Sequence, residues 1–489
     1  MKKEKISKVI LCVLVAFTFL SCLKPKGKEK KEQQLNVLWI NADDLGRELA
    51  CYGNPDVSTP HIDKLASEGI LYTNAFSTAP ICSTSRSSII TGMYPTYINC
   101  QDHRTLNMTK LPEGILPITK YFQKAGYYCT NASSEDFSKN GKEDFNFLND
   151  GLFDGTDWNN RAEGQSFFAQ VQIHNPHRLF VKDTENPINP DKVFVPECYP
   201  DHPLIRADWA AYLESVQECD RQVGRIMAKL EKEGLSDNTI VILFGDHGRP
   251  HLRDKQFLYE GGLQVPLIVK YPKSIQLGTL NNDLISLIDV TATSLDIAGL
   301  EVPDYMHGKV FIGDKKDQRD YIFGFRQRAG DAPENMRSIS DGRYKLIWNR
   351  TADRPWMQLS SYKKLQYPAF TLYHVLNERG ELGSPYNLLM AKTKPVIELY
   401  DLKNDPLEFS NLAEHKDFKN VKNKLFSTLK TNLKEFEKHM VLEDQATIEK
   451  AKKGSAKYYI NSLKKQKPEL SPNATNEDIL KDWEKRLVK

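Results

Sequence analysis

The sequence predicts an α/β protein with a large, mainly parallel sheet flanked by helices, followed by a smaller antiparallel sheet with a covering helix. Three observations predict this. From Leu35 to about Leu300, short apolar runs alternate with amphipathic segments, the pattern of strand and crossover helix. Beyond about residue 335, strands such as RYKLIW and IELYDL follow one another without helices between them, until a helix begins near Asp417. A chain of 489 residues is also longer than one minimal domain, enough for one large domain and a smaller companion.

Taken in order, the chain opens with lysines, an apolar stretch from Val9 to Leu20 and a small residue before Cys22, the layout of an export signal. That stretch is short for a membrane span. Phe19, Leu20 and Ser21 before Cys22 are similar to a bacterial lipoprotein box, which would make Cys22 the lipidated first residue; a plain cleaved signal peptide is the alternative. The expected divisions are a signal at 1–22, a lysine-rich tether at 23–34, a main α/β domain at 35–335, an α+β subdomain at 336–442 and a charged helical tail at 443–489. In the main domain, LNVLWI is a buried strand, and STPHIDKLASEG is a helix with Pro60 in its first turn and Gly69 at its end. SFFAQVQI is a further strand. The segment from Ile205 to Gly234 carries Val216, Val223, Met227 and Leu230 at helical spacing, and leads into the β-branched strand TIVILF, which stops at GDHG. VPLIVKYP follows as another strand. The tail, rich in Lys and Glu with weak apolar periodicity, is expected to form exposed helices of no chemical role. No internal repeat is present.

The 67 basic and 64 acidic residues leave a formal charge of +3, a near balance that gives no reason to expect a nucleic-acid partner. An anionic ligand must therefore be recognised by a local site. Apart from Cys12 and Cys22 the cysteines stand at 51, 82, 100, 129, 198 and 219, without the paired spacing of a thiol metal site.

Two acidic clusters carry the chemistry. Asp43 and Asp44 directly follow the strand LNVLWI, and Asp246 and His247 directly follow TIVILF. Ligands of open parallel sheets bind outside the carboxyl ends of the strands, so clusters about 200 residues apart in sequence can meet in one crevice. Three carboxylates gathered there repel one another unless a hard divalent cation such as Ca2+ or Mg2+ is present; taken singly, either cluster is more often a helix cap than a ligand. The segment ICSTSRSSIITG, residues 81–92, adds a helix that starts near Ser83, with Cys82 at its positive N-terminus and Arg86 one turn on, facing the same anion.

This last segment resembles the signature of the formylglycine-dependent sulfatases, which has Cys or Ser, any residue, Pro or Ala, Ser, Arg, and closes on Thr and Gly, as Thr91 and Gly92 do here. NADDLG, STPHIDKLASEGILYTNAF, GDHG followed by LYEGGLQVPLIV, and ELYDLKNDPLEFSNLA resemble further segments of that family in their proper order. IHNPHR at 173–178 and RADWAAYLESVQECDRQVG are most similar to the N-sulfoglucosamine sulfohydrolases. The resemblance implies an alkaline-phosphatase-like fold and hydrolysis of sulfate ester or sulfamate groups on a sulfated glycan. It implies that a sulfatase-maturating enzyme oxidises Cys82 to formylglycine, the precursor of the nucleophile. It further implies that Asp43, Asp44, Asp246, His247 and residue 82 hold Ca2+, with His247 standing where many relatives use Asn. Arg86 would support the nucleophile, and His177 and Lys255 would contact the sulfate and its leaving atom. His103 and Arg104 are candidates for the sugar pocket, or are exposed surface residues; His174 is expected to be a packing or hydrogen-bonding residue rather than a catalyst. Export would place the protein in the periplasm or on the outer membrane, held only by its lipid anchor. Two positions depart from the pattern. Thr84 stands where the signature has Pro or Ala. Ser134 and Asp136 stand where relatives carry Lys and His after the AGY segment, which predicts a missing cationic clamp and leaves Asp136 as a substrate-side proton carrier. Two other readings share these residues: a related metal-dependent phosphatase or phosphonate hydrolase, and a homologue that binds sulfated glycan without hydrolysing it.

Overall fold

The computed structural model describes residues 34–272 and 278–488. The expected signal at 1–22 lies outside them, as does the tether up to residue 33. The main sheet is built from β1 (Asn36–Ala42), β2 (Ile70–Phe76), β3 (Tyr128–Ser133), β4 (Phe167–Ile173), β5 (Thr239–Gly245), β6 (Gln264–Lys270) and the short β7 (Thr279–Asn281) and β8 (Ile285–Ser286). Its helices are α1 (Pro60–Ser67), α2 (Cys82–Thr91), α3 (Ile118–Lys124), α4 (Pro203–Lys232), the single turn α5 (Glu260–Leu263) and α6 (Ile288–Ile297). The strand order is β3-β4-β1-β5-β6-β2-β7, with β8 also on β2. β3, β4, β1 and β5 run parallel, and β6 alone is reversed between β5 and β2. The carboxyl ends of β1, β2, β3, β4 and β5 therefore share one edge.

Every residue of β1 and β5 is buried, as expected of strands covered on both faces. Alternation along β1 divides the core. Val37 and Trp39 join Ile89 and Ile90 of α2 and Val290 of α6 on one face, whereas Leu38 and Ile40 join Trp209, Leu213 and Val216 of α4 on the other. The Trp39 indole N–H, which would be costly to bury alone, donates to Ser294 Oγ at 2.9 Å.

A second sheet, ordered β12-β11-β10-β9, is antiparallel and comprises β9 (Ile322–Arg326), β10 (Met336–Ser340), β11 (Tyr344–Asn349) and β12 (Ile397–Asp401). It begins at Ile322, earlier than the expected boundary at residue 336, because β9 pairs with β10 rather than with the main sheet. Two helices, α7 (Ser361–Gln366) and α8 (Pro368–Glu378), fill the connection to β12. The covering helix α9 (Lys419–Phe436) buries Leu425, Leu429 and Leu433 against Phe323, Ile339, Leu346 and Leu399.

The tail, expected to form exposed helices, is buried in part. It folds into α10 (Gln445–Gln466) and α11 (Asn476–Leu487). α11 places Ile479, Leu480 and Trp483 in the same core as Leu372 and Val375 of α8. Only four of its twelve positions are apolar, and their partners lie about 100 residues back, so the periodicity is weak. Among the described residues no helix is long and apolar enough to cross a membrane.

The GDHG segment ends β5 where two other stretches of backbone press on it. A Cβ on Gly245 would lie 2.3 Å from the Leu45 carbonyl oxygen, and one on Gly248 would lie 2.0 Å from that of Gly261. Neither contact can be relieved by a side chain swinging away. Gly245→Ala is therefore expected to lower stability by about 1–3 kcal/mol, the usual cost of overpacking. Urea unfolding would show this as a lower midpoint, and an unchanged midpoint would contradict the packing described.

Candidate active site

The shared carboxyl edge gathers the chemistry. The register pairs Ala42 of β1 with Ile173 of β4 and with Gly245 of β5, so the residues that follow leave the sheet side by side. Asp43 N–H still donates to Ile173 O, and Asp246 N–H to Ala42 O. Asp44 then turns back in the left-handed region, at φ 64°, and its N–H donates to Asp246 Oδ1 at 3.0 Å. Such a conformation is costly for a residue other than glycine and persists because the surroundings hold it.

All ten residues of α2 are buried, although seven of them are Ser, Thr or Arg. The hydroxyls make this tolerable by donating to carbonyls one turn back, Ser87 to Ser83, Ser88 to Thr84 and Thr91 to Ser87. Ser85 Oγ instead donates to the Asp246 carbonyl, which ties the helix to the end of β5. Cys82 is the first residue of this helix. Its Sγ lies 3.3 Å from His247 Nε2, 3.4 Å from Lys255 Nζ and 3.8 Å from Asp44 Oδ1.

Arg86 is fully committed within the cluster. Nε donates to Asp246 at 2.9 Å, Nη2 to Asp43 at 3.1 Å and Nη1 to Gln172 Oε1 at 2.6 Å. Lys255 Nζ donates to both oxygens of Asp44, at 2.7 and 2.8 Å. Burial alone would raise the carboxyl of Asp43, but Lys142 and Arg86 outweigh it and hold it well below the usual range. Lys255 and His177 do the same for Asp44. Asp246 ends up raised, because burial exceeds what His247 and Arg86 return. Burial would depress His247, yet Asp246 and Asp44 push it up to about 10.

This donor set fits a divalent cation. Asp43, Asp44 and Asp246 offer oxygens that lie within 4.8 Å of one another, and all three residues are buried. His247 Nδ1 faces the Gly248 carbonyl at 2.8 Å, so that nitrogen must carry the proton. Nε2 is thereby aimed at Asp44 Oδ1, 3.0 Å away. A lone pair facing a carboxylate at that distance requires a proton or a metal ion between them, and an imidazole oriented through its other nitrogen is the usual arrangement of a metal ligand.

His177 follows β4. Its Nδ1 contacts the Arg178 carbonyl at 2.5 Å, and its Nε2 lies 3.9 Å from Asp44 Oδ2. Burial holds its imidazole down to about 4, with Lys255 opposing the pull of Asp44, so the resting ring is neutral. The neighbouring Arg178 pairs with Asp208 of α4 through Nη1 at 2.7 Å and donates to the Gln366 carbonyl of α7 at 2.9 Å. IHNPHR and RADW thus form one support for the His177 loop, with Arg178 acting on structure rather than chemistry.

Three expectations are corrected. His174 is not a buried packing residue: its side chain is 59 % exposed, its ring tilted against that of His177 and its Nδ1 3.8 Å from Asp43. Asp136 does not face the cleft: it sits on an exposed turn, capping Ser138 and pairing with Lys139, while Ser134 is buried on Gln222. A cation does reach the cluster from this segment, though not at position 134: Lys142 Nζ donates to Asp43 at 2.7 and 3.0 Å. After β3 the chain makes an extra excursion and returns, Gly141 N–H donating to the Asn131 carbonyl. Gly141 is required there, since a Cβ would lie 2.5 Å from the Ala132 carbonyl oxygen. The excursion moves the lysine eight residues from where the AGY spacing puts it (134 to 142); the turn signal Asn140-Gly141 was the available clue.

Cys82, His177 and Lys255 open onto a cleft of about 680 Å³, within the usual range of small-molecule sites. His103 and Arg104 line it. Arg104 is engaged in a bidentate pair with Asp144, at 2.9 and 3.0 Å. His103 is held neutral by burial and by Arg104.

Comparison with known proteins agrees with this geometry. The family profile "Sulfatase" matches residues 35–300, and "N-sulphoglucosamine sulphohydrolase, C-terminal" matches residues 245–363. An ulvan-active sulfatase of Formosa agariphila is 30% identical over 475 residues, covering 84% of this chain and 78% of the relative. Human N-sulphoglucosamine sulphohydrolase is 26% identical over 441 residues, covering 77% and 86%. A solved structure in complex with its substrate D-glucosamine-2-N,6-O-disulfate superposes with a TM-score of 0.61 at 17% sequence identity, over 83% of this chain and 99% of that one. The order of strands, the acidic edge and these matches agree that the chain belongs to the sulfatase family and is a sulfuric ester hydrolase.

Proposed function

We propose that the protein removes sulfate ester or sulfamate groups from a sulfated glycan, with Cys82 as precursor of a formylglycine and with Ca2+ held by Asp43, Asp44, Asp246 and His247. The observation that supports this most strongly is the position of Cys82, at the start of a buried helix and within 3.8 Å of Asp44, His247 and Lys255 at the mouth of the cleft. Formylglycine at this position supplies the nucleophile toward sulfur, and Ca2+ supplies positive charge against the sulfate oxygens. In this reading a sulfatase-maturating enzyme acts on the chain before or during export, and Cys22 carries the lipid that anchors it in the periplasm or on the outer membrane. The names of the relatives point to ulvan-type or glucosamine-type sulfated saccharides as the substrates to try.

The chain's own residues divide the work. Arg86 positions: each of its three nitrogens donates within the cluster, to Asp246, Gln172 and Asp43, so it fixes the carboxylates. Lys142 and Lys255 keep their charge, since the carboxylates beside them outweigh burial, and they offset the charge of the transferring group. His177 presents Nε2 to the cleft without a proton. A sulfate arriving beside it raises its basicity, so the proton needed by the departing oxygen or nitrogen is taken up with the substrate.

Sulfate release from ulvan and heparin oligosaccharides, together with peptide mass spectrometry across residue 82, tests the proposal. It predicts released sulfate and the mass of formylglycine in protein made by a host able to mature sulfatases. An unmodified thiol in protein that nonetheless binds the saccharide would instead favour the non-catalytic reading. Lys142→Ala is expected to lower kcat/KM by about 100-fold or more, the usual cost of losing one preorganised electrostatic contact; activity within a few-fold of the parent would remove Lys142 from the clamp. Because burial holds the His177 imidazole down to about 4 and a bound sulfate would raise it, binding at pH 5–6 is expected to take up protons. Calorimetry in buffers of different ionisation enthalpy should show that uptake in the parent and not in His177→Ala; equal values in both would contradict it.

A further inference from the structure

The cleft that begins at Cys82 ends on α10, the helix whose sequence reads as a solvated tail. Lys450, Lys453, Lys457 and Tyr458 line its outer end. The three lysines stand at i, i+3 and i+7, the spacing that puts side chains on one helix face. Their exposure is no surprise; their lack of close ion pairs is informative. Lys452, on another face, pairs with Glu449 at 2.9 Å. No carboxylate among the described residues lies within ion-pair distance of the other three. Of the nearby acidic groups, Asp144 is paired with Arg104 and Glu443 with Arg328, while Asp331, which lines the cleft, accepts from Ser361 and keeps its charge. The outer end of the cleft therefore carries three lysines against one lining carboxylate, Asp331, with Glu449 acting on Lys453 from its own helix.

The helix is also fixed in place. Just before it, Glu443 pairs with Arg328, both side chains under a tenth exposed, and Val441 exchanges hydrogen bonds with Asn99 and Gln101. Asn107 donates to Thr447 in its first turn. At its far end Tyr459 and Leu463 pack on Leu365 of α7, and Gln366 donates to Gln466. α10 thus bridges from the loop after α2 to the α7 segment, and holds its lysine row across the cleft from the catalytic end. Such preorganisation makes a charged row more than a mobile surface patch.

We propose that α10 is a specificity element: Lys450, Lys453 and Lys457 bind a second anionic substituent, on a sugar adjacent to the one whose sulfate is removed. The protein then selects polyanionic oligosaccharides over singly sulfated sugars. This rests on the sulfated-glycan reading above. The chemistry recognised is a sulfate or carboxylate group, and Tyr458 offers a ring for the sugar that carries it.

The test uses the full chain carrying Cys82→Ala, so that bound saccharide is not consumed, and a sulfated, uronate-containing tetrasaccharide cut from ulvan. Changing Lys450, Lys453 and Lys457 together to Gln is expected to weaken binding tenfold or more and to flatten its dependence on salt, whereas the arginine triple variant retains affinity. A control with the same charge loss, Lys464, Lys465 and Lys481 to Gln, should bind like the parent. Comparing the tetrasaccharide with its carboxyl-reduced form assigns the second group: retained affinity on reduction means sulfate, lost affinity means carboxylate. Unchanged binding by the 450/453/457 variant, equal loss in the control, or no binding by the parent would overturn the inference. Sulfate release by the unmutated chain reports separately on the hydrolase reading, so the two failures are distinguishable.

Discussion

Three aspartates with almost no solvent access stand at the ends of two adjacent strands, and their mutual repulsion in a medium of low polarity is the problem the surrounding structure is arranged to solve. The parallel register brings Asp43, Asp44 and Asp246 together without loops of any length. Helix α2 delivers Arg86 between two of them, the turn after β3 delivers Lys142, and the segment after β5 returns with Lys255. Each cation comes from a different connection, so the cluster also welds these connections to the sheet. The same arrangement leaves Cys82 facing charge of both signs at the one edge where a ligand can enter.

Much of this was legible because strand ends are local. LNVLWI followed by Asp43 and Asp44, and TIVILF followed by Asp246 and His247, are readable as buried strands that stop at acidic residues, and a parallel sheet then requires them to meet. Cys82 and Arg86 were legible for a related reason: helical spacing fixes their relation once the helix start is placed. Lys142 was not, because its position depends on the length of an excursion that spacing cannot measure. Asp136 was misassigned by the same error, since counting from the AGY segment stops on the exposed turn rather than beyond it.

The role of Arg178 was hidden for a different reason. IHNPHR reads as a cluster of chemical residues, yet the arginine turns away to Asp208 and the carbonyl of Gln366. The tail hid its role most completely. Its lysines look like the solvated face of any surface helix, and only the fold brings Lys450, Lys453 and Lys457 opposite Cys82, some 370 residues away in sequence (82 to 450). Specificity in such a site comes from elements remote in the chain, whereas the reacting groups come from strand ends, and the two are therefore unequally visible.

The claim on which the account turns is that the buried carboxylates form a single divalent-cation site beside residue 82. Plasma mass spectrometry on the full-length chain, purified after export and maturation, measures this directly. One calcium per chain is expected, lost in Asp246→Asn while the fold is retained by circular dichroism. A parent chain with no divalent ion, or an Asp246→Asn variant that holds calcium as firmly as the parent, would contradict it.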